Sequence, residues 1–199
     1  MRDDSWPAAG AGEHWVFGYG SLMWDPGFAF AEAAWGLLRG FHRQLCILSM
    51  RNRGTRERPG LALGLAPGGS CRGRVFRIDA AHLEVARAYL WQREMATNVY
   101  VPRRLRVRLD DGRSVEALVF IARRGHPACQ FTLSDERAAE LAATGVGSYG
   151  RAIDYLRNVV IHLDGFGITD GPLHRILALA EAGAGTARVS AAPPRTASE

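Results

Sequence analysis

The first half of the chain is strand-like, with short apolar runs set between polar and turn-forming residues. His14–Tyr19 is a short aromatic-rich run that closes on Gly20-Ser21, and Leu37–Met50 is a second, longer strand candidate. Leu61–Leu65 and Gly73–Ile78 read as two further strands, separated by a Pro67-Gly68-Gly69 turn. Arginines alternate with Leu105, Val107 and Leu109, and Val115–Ile121 follows after Asp110-Asp111-Gly112. This pair predicts a hairpin, because glycine supplies the positive φ that tight turns demand.

Helical periods are interleaved with the strands. Asp79 is placed to cap a helix running through Met95, with Leu83, Ala86 and Leu90 on one face. A second helix from about Arg151 to Leu163 carries Ile153, Leu156, Val159, Val160 and Leu163, and Gly165 or Gly167 ends it. Asp170 caps a third, with Pro172 in its first turn and Leu173, Ile176 and Leu177 facing inward. Short strands with three helices predict a mixed α+β fold. Residues 1–12 read as a floppy lead-in and 183–199 as a disordered tail, because both are small, polar and Gly/Pro-punctuated. One continuous domain, 13–182, is expected between them.

Composition narrows the function classes. Apolar residues make up 47% and charged residues 23% of the 199 positions, a globular balance rather than a disordered one. No run of about 18 apolar residues exists, so no membrane span is expected. The N-terminus has no apolar stretch of the kind a secretory signal requires. Cys46, Cys71 and Cys129 are odd in number and widely spaced, which suits a reducing cytoplasm and gives no disulfide or zinc framework. The net charge of +5 raises nucleic acid as a partner, but all 25 basic residues are Arg and none is Lys. That pattern matches the codon bias of a GC-rich genome. The arginines are spread along the chain, so no nucleic-acid partner is expected.

Three segments are candidates for chemistry. Phe17-Gly18-Tyr19-Gly20-Ser21-Leu22-Met23-Trp24 leaves the first strand with two glycines, which let the backbone turn sharply and approach a ligand. Successive N–H groups in such a turn can form an anion-binding nest. The segment lacks the Gly-Lys-Ser/Thr of a phosphate loop and the third glycine of a dinucleotide fingerprint, and it equally reads as a tight turn after a buried strand. In Trp91-Gln92-Arg93-Glu94-Met95, helical geometry puts Glu94 on the face of Leu83 and Leu90. A carboxylate there loses hydration, which raises its pKa toward the range of a general acid or base. The alternative is a structural ion pair with an arginine such as Arg87. The third segment, Arg51 to Gly60, carries four arginines able to grip substrate carboxylates, although most read as solvated loop charges. The six histidines have no metal-ligand spacing, so no metal and no cofactor is expected.

Taken together, these segments resemble the ChaC family of glutathione-specific γ-glutamylcyclotransferases. The resemblance is carried by Trp15 to Trp24, Arg53-Gly54-Thr55 with Pro59-Gly60, and Arg93-Glu94-Met95 followed by Tyr100 and Pro102. Further along it rests on Asp111-Gly112-Arg113, Val119-Phe120-Ile121, His126-Pro127 and the stretch from Gly147 to Leu156, so it is colinear over roughly residues 14–180. It implies a γ-glutamyl cyclotransferase-like fold, a small mixed β-barrel flanked by helices. It also implies a lyase that splits glutathione into 5-oxoproline and cysteinylglycine. Glu94 matches the family's catalytic glutamate, and Tyr19, Gly20, Ser21 and Leu22, with Arg53 and Tyr100, would surround the substrate. Two positions depart from the family pattern: Asn98 stands where glycine is common, and Ala152 where relatives carry Asn. A cyclotransferase for other γ-glutamyl amides, or a non-catalytic regulatory binding protein, are the alternatives. Oligomeric state is left open between monomer and dimer.

Overall fold

The computed structural model describes residues 13–190, so the lead-in 1–12 and the tail end 191–199 lie outside the described residues. The chain forms two compact units, one built from residues up to Ile47 together with Leu63–Phe131, the other from Leu48–Ala62 together with residues from Thr132 onward.

The first unit is organised by a closed barrel with strand order β1-β3-β2-β4-β5. Its strands are β1 (His14–Gly18), β2 (Glu32–Ser49), β3 (Gly60–Ile78), β4 (Tyr100–Leu109) and β5 (Ser114–Ala122). β1 pairs antiparallel with β3 and parallel with β5, which makes the barrel mixed. The expected hairpin is present: Leu105 faces Ala117, Val107 faces Val115, and Gly112 takes φ 91° in the turn. Val107 and Leu109 are buried while Arg106 and Arg108 are exposed, as a two-residue period requires. Helix α1 (Leu83–Glu94) packs Ala86 and Leu90 into a cluster with Val16, Leu22, Ile78, Leu118 and Phe120.

The second unit holds α2 (Asp135–Thr144), α3 (Ala152–Gly165) and α4 (Gly171–Ser190), with two-residue strands β6 (Val146–Gly147) and β7 (Gly150–Arg151). α3 buries the five apolar residues its period predicts, Ile153, Leu156, Val159, Val160 and Leu163. In α4, Asp170 Oδ1 accepts from the Leu173 N–H at 3.3 Å, the expected cap. Among the described residues, no helix is long and apolar enough to cross a membrane.

The fold corrects several expectations. The two strands separated at Pro67-Gly68-Gly69 are one strand, β3; Gly68 and Gly69 take φ 98° and 67°, so the chain bends without leaving the sheet. Asp79 makes no side-chain cap: a 3-10 turn over Ala80–His82 precedes α1, and the Asp79 carboxylate lies 3.4 Å from Arg77 instead. α2 is a fourth helix that the apolar period does not announce, since its inward face is Ala138, Ala139, Leu141 and Ala142. Its start is nonetheless encoded, because the Ser134 side chain accepts from the Arg137 N–H. α4 runs on to Ser190, eight residues into the stretch read as tail from 183.

Candidate active site

Strand β1 ends in a turn whose geometry is fixed by close packing. A Cβ on Gly18 would lie 3.0 Å from Leu22 Cβ, and one on Gly73 of the neighbouring β3 would lie 2.4 Å from Gly18 O. Glycine at both positions lets the loop fold back onto the barrel. A 3-10 turn over Ser21–Met23 follows, closed by Met23 N–H to Gly20 O at 2.9 Å and Asp25 N–H to Ser21 O at 2.8 Å. Gly20 itself has φ −130° and ψ −134°, outside both the extended and the helical regions although its φ is not left-handed.

Three arginines hold this loop. Arg43 of β2 is the buried charged residue of the core, 6% exposed. Its Nε donates to Tyr19 O at 2.5 Å and its Nη2 to Arg72 O at 2.8 Å. Arg74 of β3 donates to Met23 O at 3.2 Å. Arg93 of α1 donates from Nη2 to Ser21 Oγ at 2.8 Å and from Nη1 to Asp25 O at 2.9 Å. Tyr19 and Leu22 are themselves buried, so this segment offers a ligand chiefly its backbone.

Glu94 is the last residue of α1, one turn beyond the buried Leu90, and its side chain keeps 15% of its exposure. Loss of hydration pushes its carboxyl up to about 7, while the Arg93 guanidinium, Nε 3.4 Å from Glu94 Oε1, draws it back down. Burial is the larger effect, so the net shift is upward. Arg87, the partner considered from sequence, pairs with Glu84 instead at 2.9 Å.

Tyr100 opens β4 and packs against the Leu22–Leu90–Phe120 cluster, with its hydroxyl on Leu63 O at 2.7 Å. Leu63 in turn lies against Gly20, where a Cβ would meet Leu63 Cδ1 at 3.4 Å. The first unit therefore gathers Tyr19, Gly20, Ser21, Leu22, Glu94 and Tyr100 through a small set of direct contacts. Arg53 belongs to the second unit. There its guanidinium donates to Tyr149 O and sits 4.9 Å over the Tyr155 ring. Its backbone is enclosed by glycines: a Cβ on Gly60 would lie 2.1 Å, and one on Gly145 2.6 Å, from Arg53 O.

Sequence reasoning gave Arg43 no role and quoted Arg93 only as part of a motif. The signal for Arg43 was available: a charged residue set in the apolar run of β2 that continues through Leu45, Cys46 and Ile47. Both departures from the family pattern have structural answers. Asn98 takes φ 57°, a left-handed value that Asn tolerates better than other side chains apart from Gly. The Ala152 N–H, the first of α3, bonds to Gly145 O at 2.9 Å, so the backbone satisfies a donor that a capping side chain would otherwise take. Among the described residues, no group of three or more His, Cys, Asp or Glu side chains is arranged to hold a metal ion.

The barrel and its capping helix define the class of fold. A crystal structure of a γ-glutamyl cyclotransferase specific to glutathione from yeast matches with TM-score 0.78 at 22% identity, over 85% of this chain and 96% of that one. The family model described as ChaC-like protein matches residues 14–182, and the chain belongs to that family. A glutathione-specific γ-glutamylcyclotransferase of Escherichia coli (strain K12) is 39% identical over 166 residues, 83% of this chain and 72% of the relative. Its namesake in Schizosaccharomyces pombe is 31% identical over 166 residues, 73% of this chain and 80% of the relative. The Danio rerio glutathione-specific γ-glutamylcyclotransferase 1 is 32% identical over 152 residues, 74% of this chain and 78% of the relative.

Proposed function

We propose that this chain is a cytoplasmic glutathione-specific γ-glutamylcyclotransferase that releases 5-oxoproline and cysteinylglycine, with Glu94 as the proton-transferring group. The observation that carries the reading is the desolvated Glu94 carboxyl, raised to about 7 and joined through Arg93 to the Ser21 turn. The names of the relatives supply the substrate.

The chemistry suits a site without a nucleophile. The substrate's own α-amine attacks its γ-carbonyl carbon: a C–N bond closes the five-membered ring, and the C–N bond to the cysteinyl nitrogen breaks. Glu94, as carboxylate, takes the proton that the amine sheds and then delivers it to the departing nitrogen, so it ends as it began. A carboxyl titrating near 7 is matched to both transfers. Holding the γ-glutamyl chain curled contributes as well, since well-oriented intramolecular attack is worth about 7–11 kcal/mol. The Ser21 and Leu22 N–H groups precede the first backbone bond of the 3-10 turn, where donors for the developing γ-oxyanion belong. The three cysteines, all buried, suit the reducing cytoplasm.

The direct test is incubation of the purified protein with reduced glutathione, with both products followed by mass spectrometry. Equal amounts of 5-oxoproline and cysteinylglycine, lost in Glu94→Gln, are expected. Turnover of other γ-glutamyl amides but not glutathione would overturn the specificity; no product from any of them would overturn the enzyme reading.

A further inference from the structure

We infer that Arg93 is a positioning residue for this reaction, one guanidinium that fixes the Ser21–Met23 turn and the Glu94 carboxylate relative to each other. The inference rests on Glu94 being the proton-transferring group.

The geometry is that of a clamp. Ser21 and Asp25 are already tied by the bond from Asp25 N–H to Ser21 O at 2.8 Å. Arg93 grips the same two residues from outside, through Ser21 Oγ at 2.8 Å and Asp25 O at 2.9 Å. The third edge of the guanidinium, Nε, lies 3.4 Å from Glu94 Oε1. Tyr89, one helical turn earlier, braces the fork: its hydroxyl takes Nη1 at 2.6 Å and its ring lies 5.7 Å beneath the guanidinium. Tyr89 is itself confined, since a Cβ on Gly27 would come within 2.0 Å of its hydroxyl oxygen. Arg93 thus serves two loop acceptors, one phenol and one carboxylate with a planar set of donors. A lysine, with one ammonium on a flexible stem, cannot reproduce this.

The clamp also has an electrostatic consequence. The charged and titratable groups that meet at the Arg93 guanidinium are Tyr89 and Glu94 of α1 with Asp25 of the loop, while Arg43 and Arg74 hold the loop's carbonyls. Arg93 is the one whose charge acts on the Glu94 carboxyl, opposing the burial that raises it. Arg93 is 21% exposed, so its field is only partly screened. The residue that orients the loop therefore also keeps Glu94 ionised in the neutral range.

The test uses Arg93→Gln and Arg93→Lys, each compared with the native chain. Two readouts are taken: the Glu94 titration by 13C NMR with side-chain-carboxyl-labelled glutamate, and kcat and KM for glutathione across pH. In Arg93→Gln the Glu94 titration is expected to move up by about one pH unit, lowering the ionised fraction at pH 7 roughly five-fold. Arg93→Lys keeps the charge, so the titration should stay near its native position while KM rises several-fold because the loop is no longer gripped. An unmoved Glu94 titration in folded Arg93→Gln overturns the electrostatic role. Should that variant fail to fold, native KM and kcat in Arg93→Lys overturns the clamp. The NMR titration needs no turnover, so the inference is judged separately from the catalytic reading, which fails if Glu94→Gln remains active or if the native chain yields no product.

Discussion

The Asn98 side-chain oxygen accepts a hydrogen bond from Arg123 Nη2 across 2.8 Å, and Arg123 Nε reaches the backbone carbonyl of the same residue across 2.8 Å. Arg123 Nη2 also lies 3.2 Å from Tyr100 O, so the left-handed corner at Asn98 is tied to the first residue of β4. A glycine would adopt φ 57° more freely but would forfeit the side-chain bond.

Asn98→Gly should therefore be nearly neutral, within about 0.5 kcal/mol, because relief of strain offsets the lost bond. Asn98→Ala retains the strain and loses the bond, and should destabilise by about 2 kcal/mol. Urea unfolding of the three proteins checks the order. Equal losses for Gly and Ala would mean that the Arg123 bond, rather than the backbone conformation, dominates.

Glu94 sets a pH dependence of stability with a definite sign. Its folded pKa, about 7, exceeds the ordinary value of 4.5, so the folded state holds a proton that the unfolded state has released between these limits. Stability falls as pH rises through that window. The penalty is absent below about pH 4.5 and complete above about pH 7, where it reaches about 3 kcal/mol. Glu94→Gln does not titrate, so its stability relative to the native chain should improve across that window. Parallel pH–stability curves would contradict the raised pKa. Activity in the same variant should fall by about 10²–10⁴-fold.

Arg43 supports the Tyr19 loop from below without touching the reacting atoms. Arg43→Met retains much of the packing and leaves the Tyr19 and Arg72 carbonyls without this donor. A loss of about 2–4 kcal/mol is expected from the buried acceptors. KM for glutathione should rise as the loop loosens, while the pH of the acid limb should not move, in contrast to Arg93→Gln. A shift of that limb would place Arg43 in the electrostatics of Glu94 instead.

Much of this was legible in the residues, for identifiable reasons. The β4–β5 hairpin and α3 carry full-length periodic patterns, so local chemistry and burial agree at each position. Glu94 was placed on the inward face of its helix by spacing alone. What escaped was chemistry that is non-local or weakly patterned. The alanine face of α2 has little amphipathic contrast, and the partners of Arg43 are 24 and 29 residues away along the chain. Arg93 was visible as a letter beside Glu94, but its loop partner Ser21 lies 72 residues away, a closure that only the barrel makes. The ion pair weighed for Glu94 existed with the adjacent Arg93, because Arg87 had its own partner within one helical turn.

The second unit contains its own pH-sensitive contact. His174 of α4 has Nδ1 2.7 Å from Asp170 O and Nε2 3.0 and 3.2 Å from the two Asp164 carboxylate oxygens. Both ring nitrogens face acceptors, so both must donate, and only the imidazolium can do that. Its pKa is accordingly raised above 6.5, the Asp170 carbonyl being the largest cause and the Asp164 carboxylate adding to it. A histidine raised by folding stabilises fully below its unfolded pKa, and the contribution is lost as pH rises through the higher folded value. Thermal unfolding of the native chain and Asp164→Asn at pH 5.5 and 8.5 isolates this effect. The native chain should exceed the variant by more at the lower pH. An advantage that grew with pH instead would show that Asp164 acts through another partner.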